Sequence, residues 1–299
     1  MKRASVLRKL DRGSTGRPDS FVGTGQGIFG QDSLTLRQGV VNCHGGMAQR
    51  VGCVPFRNCR PFASFGYHTS DMTALLSAYT KEGFIVGADT LRKDKFGRIV
   101  TESAVKIHAT GHRDFVGAYG LAGYTAMEFI DGRPMLNILE CANGVASELT
   151  DIRFNSAQEY VEYSCDNLAA KIRAESSGIA LPNDFKLRGM FVGYNNGRAF
   201  CLQIDFPASN GYLLRPRLAE LWENPVDRFC ILSGSAIVWN EMSEHLEGPP
   251  ETLTEGITLV QEYVTRCIKN DTDPYCANIG GRVQLATVTN QGFSWVLQP

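Results

Sequence analysis

The sequence predicts a mixed α/β domain: two stacked, mainly antiparallel sheets between helical layers, a four-layer αββα sandwich. Three observations lead there. Short apolar runs come in pairs joined by tight polar turns at both ends of residues 73–297. Segments with helical spacing stand between those pairs. The order is strand pairs, two helices, strand pairs, one or two helices, then closing strands, which suits sheets stacked between helices.

The elements follow in chain order. Residues 73–79 form a first strand, and Thr80-Lys81-Glu82-Gly83 turns the chain. Phe84-Ile85-Val86-Gly87-Ala88-Asp89 is a β-branched return strand ending in an acid. A further extended piece begins at 99–100 and reaches Ala104-Val105-Lys106-Ile107-His108. In a strand, Val105 and Ile107 face away from Lys106. Residues 115–123 make another strand entering a glycine-rich turn. Residues 135–149 read as helical. Ser156 and Glu159 are spaced as a capping box before a helix with Ala157, Val161, Cys165, Leu168 and Ile172 on one face. Residues 186–194 and 199–206 flank Asn195-Asn196-Gly197-Arg198, and Asn-Gly is a strong hairpin signal. Residues 211–214 add a short strand, and 229–232 another that runs into Ser233-Gly234-Ser235. A helix over 254–268 follows, with Ile257, Val260, Val264, Cys267 and Ile268 on one face, then a closing strand pair over 279–288 and 291–296.

Residues 1–71 are a different kind of sequence. They carry ten Lys/Arg and four Asp, a net +6; residues 72–299 carry 20 Lys/Arg and 27 Asp/Glu, a net −7. The leader is rich in Gly, Arg and Ser, without helical or strand period. Four origins remain open for it: a cleaved propeptide, a transit peptide, a disordered tail, or translated upstream sequence before a start at Met72. The charge break and the position of Met72 favour the last, with 72–299 as the working domain. Cys43, His44, Cys53 and Cys59 lack paired Cys-x-x-Cys spacing, so no metal site is expected. No cofactor is expected either.

Composition narrows the function. No run approaches the roughly 20 apolar residues of a membrane span, and the acidic body does not suit nucleic acid, whose phosphates need a basic face. Nine cysteines at irregular spacing, with Cys165, Cys201, Cys230 and Cys267 inside apolar stretches, fit a reducing cytoplasm better than a disulfide framework.

Thr73 at a strand start, Gly83-Phe84-Ile85-Val86-Gly87-Ala88-Asp89, Val105-Lys106-Ile107 and Gly120-Leu121-Ala122-Gly123, in this order and spacing, resemble a proteasome β-type subunit of the N-terminal-nucleophile hydrolases. The resemblance extends to Ser233-Gly234-Ser235 and to Gly280-Gly281 with the strand after it. It implies the sandwich of that class, a cytoplasmic self-assembling ring, and a peptide or small-amide substrate. It makes Thr73 the nucleophile, Asp89 and Lys106 its partners, and Gly123 an oxyanion donor. It makes Ser233 or Ser235 a helper in proton transfer. Two departures stand out. Leu232 replaces a glycine before Ser233, and Cys276 occupies the place of an aspartate that assists the serine. Asp271 or Asp273 could substitute only with a gap.

The chemistry agrees. A threonine hydroxyl needs a base, and an N-terminal threonine has its own α-amine, which titrates near 7.7–8.0. A nearby ammonium lowers that value further. The expected activity is therefore hydrolysis of peptide or amide bonds by a threonine-type enzyme. The alternatives are an inactive ring or scaffold subunit of the same fold, and a small-amide amidohydrolase.

Overall fold

The computed structural model describes residues 73–93, 97–127, 136–176, 180–183, 185–223 and 229–299. The leader, Met72 and the four candidate metal ligands within it lie outside them.

The fold is mixed α/β, with antiparallel sheets and four helices among the described residues. The chain opens with β1 (Leu75–Thr80) and β2 (Gly83–Asp89), paired antiparallel with Leu75 opposite Ala88. A small hairpin, β3 (Arg92–Lys93) with β4 (Ile99–Thr101), leads to β5 (Ile107–Ala109) and β6 (Phe115–Gly123). The continuous extended piece expected over 99–108 is thus broken. Ala104 N–H donates to Thr90 O, and Lys106 and Ile107 N–H donate to the Gln284 side chain, so a side chain takes the place of a ladder strand there.

Next come β7 (Ala126–Met127) and β8 (Leu136–Asn137), then α1 (Ile138–Glu148) and α2 (Ala157–Glu175). The helix expected from 135 starts later because Asn137 is its N-cap, with Oδ1 accepting from Glu140 N–H. Ser156 caps α2 as its spacing predicts, accepting from Glu159 N–H at 3.1 Å. The Glu159 carboxylate reaches back to Asn155 N–H rather than to Ser156, so half of the capping box is displaced by one residue.

β9 (Leu187–Asn195) and β10 (Arg198–Phe206) form the Asn-Gly hairpin, with Asn196 and Gly197 both at positive φ. After β11 (Ala208–Ser209) and β12 (Tyr212–Leu213) the chain adds β13 (Arg217–Glu223), which the sequence does not announce, and β14 (Phe229–Ser233). α3 (Ala236–Ser243) and α4 (Leu253–Lys269) precede a 3-10 turn at Pro274–Cys276, β15 (Val283–Thr289) and β16 (Gly292–Leu297).

Two five-stranded sheets result, ordered β14-β1-β2-β15-β16 and β13-β10-β9-β6-β5. Alternation along each strand sorts its side chains. Leu76, Ala78, Ile85 and Leu285 pack with Val238 and Trp239 of α3 and with Val260, Tyr263 and Val264 of α4. Leu75, Phe84, Val86 and Ala286 face the other way and meet Ala118, Met190, Val192 and Cys201 of the second sheet. That sheet's far face carries Tyr119, Phe191 and Leu202, against Val145 of α1 and Val161 and Leu168 of α2. Strands buried on both faces explain why their sequences read as unbroken apolar runs rather than as alternation.

Candidate functional site

β1 and β2 lie side by side in one sheet, and the segment entering β5 belongs to the other. Where they converge, Thr73, Asp89 and Lys106 come together, nearly or fully excluded from solvent. Thr73 precedes β1 by two residues. Lys106 Nζ donates to Thr73 Oγ1 at 3.2 Å and to Asp89 Oδ1 at 2.9 Å. The two carboxylate oxygens of Asp89 also accept from backbone: Oδ1 from Ala74 N–H at 3.1 Å, and Oδ2 from Leu91 N–H at 3.1 Å and Gly280 N–H at 3.2 Å. Burial pushes the Asp89 carboxyl above its ordinary value, while the Lys106 charge and hydrogen bond and the Gly280 and Ala74 N–H groups pull it back. The ammonium and the carboxylate each make up for the other's lost hydration, and a hydroxyl lies within reach of the same ammonium.

Gly123 ends β6 at φ +98, and a Cβ there would stand 2.1 Å from Lys186 O. Only glycine fits that turn. The glycine that meets the site's strands is Gly120: an added Cβ would lie 2.9 Å from Leu75 Cδ2 and 3.3 Å from Lys106 O. Sequence reading did not single it out.

Ser233 ends β14 opposite Leu75, two residues along from Thr73. Ser235 is completely buried; its hydroxyl donates to Asp273 Oδ2 and accepts from Val238 N–H at 3.0 Å as the N-cap of α3. Asp273 therefore does partner a serine of this turn, with Cys276 buried a few residues on. Its other oxygen accepts from Tyr275 N–H at 2.9 Å and caps the 3-10 turn.

Two contributors were given no role at the site from the sequence. Gly280 pins Asp89 through its N–H and accepts from Leu91 N–H at 3.0 Å. Gln284, fully buried, bonds backbone on both sides of the ion pair. Among the described residues no group of three His, Cys, Asp or Glu is placed to hold a metal ion, and no helix is long and apolar enough to cross a membrane.

No protein-family model matches the chain, and no curated protein matches it. Solved structures similar to it include the Anbu (Gly-1) mutant from Hyphomicrobium sp. strain MC1, at 13% identity and TM-score 0.49, covering 75% of this chain and 84% of that one. Anbu (ancestral beta-subunit) from Yersinia bercovieri is similar at 10% identity and TM-score 0.49, covering 75% and 86%. These findings correct the family assignment expected from the motifs: the chain is not placed among proteasome β-type subunits. Short motifs such as Gly-Ala-Asp and Gly-Leu-Ala-Gly satisfy strand and turn geometry in many proteins, so their order alone did not fix a family. Likenesses of this strength carry no argument about activity.

Proposed function

We propose that this chain hydrolyses amide or peptide bonds with Thr73 as nucleophile, in a working form of the 72–299 domain whose first residue is Thr73. One observation carries the reading: a buried lysine ammonium bridges the Thr73 hydroxyl and the Asp89 carboxylate. In this reading the Thr73 α-amine takes the hydroxyl proton as Oγ1 attacks the substrate carbonyl carbon. Lys106 steadies the developing charge on Oγ1, and Asp89 holds Lys106. A backbone N–H at Gly123 is assigned to the oxyanion. The α-ammonium then gives its proton to the leaving amine, leaving an ester on Thr73. Water, deprotonated by the same amine, attacks that ester and frees a carboxylic acid. Ser233 is assigned to relay protons near the amine. The reading takes the sheets and helices as a four-layer αββα sandwich, the substrate as a peptide or small amide, and the working protein as a self-assembling oligomer in the cytoplasm.

A second reading, a catalytically silent scaffold, is favoured by the burial of Thr73, which is 4% exposed. One experiment decides between them. Intact mass and Edman sequencing of native protein should find Thr73 first, and Thr73→Ala should lower hydrolysis of a fluorogenic peptide panel by about a thousandfold or more. Persistence of Met72 or earlier residues on the native protein would turn the amine into an amide and leave no base. That result, or full activity in Thr73→Ala, sinks the hydrolase reading.

A further inference from the structure

Gln284 stands in β15 opposite Ala88 of β2 and is entirely buried. A carboxamide offers two N–H donors and two acceptor lone pairs, and here all four are used. Oε1 accepts from Lys106 N–H at 3.0 Å and Ile107 N–H at 3.3 Å. Nε2 donates to Asp89 O at 3.0 Å and Ala104 O at 3.0 Å. The partners, two N–H groups on one side and two carbonyls on the other, fix which end is oxygen. Two of them belong to the members of the ion pair, and a third is the residue after Lys106. Asp89 and Lys106 approach from different sheets, so no shared ladder sets their separation.

We propose that Gln284 is a positioning residue, a backbone clamp that sets where Lys106 Nζ stands relative to Thr73 Oγ1; as a catalytic role it rests on the reading of Thr73 as nucleophile. The Nζ–Oγ1 distance of 3.2 Å is already at the long end of a hydrogen bond. A backbone shift of about 1 Å would break it, and displacements of that size cost reactions on the order of a hundredfold. An apolar side chain at 284 would leave two N–H groups and two carbonyls unpaired. Glutamate is the sharper probe: it keeps the size and the acceptor for Lys106 and Ile107, but sets an oxygen against the carbonyls of Asp89 and Ala104.

The test uses the native protein in the form whose first residue is Thr73, with the variants Gln284→Met and Gln284→Glu. A peptide β-lactone, which acylates a nucleophilic threonine hydroxyl, is followed by intact mass and peptide mapping across pH. Lys106 and Asp89 are the charged groups tied to Thr73 and Ala74. Displacing the ammonium lets the α-amine return toward its ordinary 7.7–8.0. Both variants should therefore acylate about tenfold more slowly or worse, with the pH of half-maximal rate moved upward. A purely structural role would leave that midpoint in place. In parallel, reductive methylation reads lysine access without any chemistry at Thr73. Lys106, 2% exposed, should be protected in the parent protein and labelled in both variants, while exposed Lys81 is labelled alike in all.

Variants with native circular dichroism that acylate within twofold of the parent at an unmoved midpoint, with Lys106 still protected, overturn the proposal. If the parent chain is not acylated at any pH, the hydrolase reading falls. The clamp is then judged by methylation: increased Lys106 labelling keeps it, and unchanged labelling sinks it. If Gln284→Met does not fold, Gln284→Glu carries the comparison.

Discussion

Two buried polar clusters invite comparison. One joins Thr73, Asp89, Lys106 and Gln284 where the sheets converge; the other joins Ser235 and Asp273 beside Tyr263 behind β14. Each has one buried carboxylate and one buried aliphatic hydroxyl. In the second, the serine and the acid each cap the start of an element. Ser235 caps α3, Asp273 caps the 3-10 turn, and the Tyr263 hydroxyl reaches Ser235 O. In the first, the Thr73 hydroxyl caps no helix; its partner is an ammonium. The difference teaches that a serine–acid pair is not by itself a mark of chemistry, because capping alone accounts for one. A hydroxyl held beside a buried cation asks for another explanation.

The sharpest way to break the comparison is to remove each carboxylate's function in turn. Asp89→Ala strands the Lys106 ammonium in a dry site and should cost about 3–5 kcal/mol, read as a loss of stability in urea denaturation. Ser235→Ala removes a cap and leaves Asp273 short of a donor, which should cost about 1–2 kcal/mol in the same assay. Equal losses would mean that the Asp89–Lys106 charge is far better solvated than its burial indicates.

A smaller effect contrasts the site strand with its own continuation. His108 follows Lys106 by two residues, and its Nε2 is buried without a hydrogen-bond partner. Burial lowers its pKa below the ordinary 6.5, opposed by a hydrogen bond to the Val105 backbone. A histidine depressed in the folded state contributes stability that is fully present above its unfolded value and lost as pH falls below it. Thermal melts should therefore weaken as pH falls from 6.5, and His108→Gln should flatten that slope. An unchanged slope would remove His108 from the acid response.

The same contrast explains what was legible in the sequence. β6 and the β9–β10 hairpin were readable because period, β-branching and Asn-Gly are local. Thr73, Asp89 and Lys106 were readable as candidates from their order, and the structure brings them together. β13 was missed because Pro216 stands directly before it and charges are interspersed along it, and only its ladder with β10 makes it a strand. Gln284 is a polar residue between Val283 and Leu285, a local pattern that assigns it no role. Its four partners lie 177 to 195 positions away, where no local pattern reaches. The Ser235–Asp273 pair needed a gap that spacing alone does not license.

Asp89 ties Ala74 near the start of the domain to Gly280 near its end, a span of 191 residues from carboxylate to glycine. Contacts that distant in sequence close late, since the loop entropy must be met before they form. A growing chain that has not reached Gly280 and Gln284 lacks one hydrogen-bond donor to Asp89 and the acceptor of the Lys106 N–H. Those hydrogen bonds around the ion pair can close only once the last sheet strands have been made.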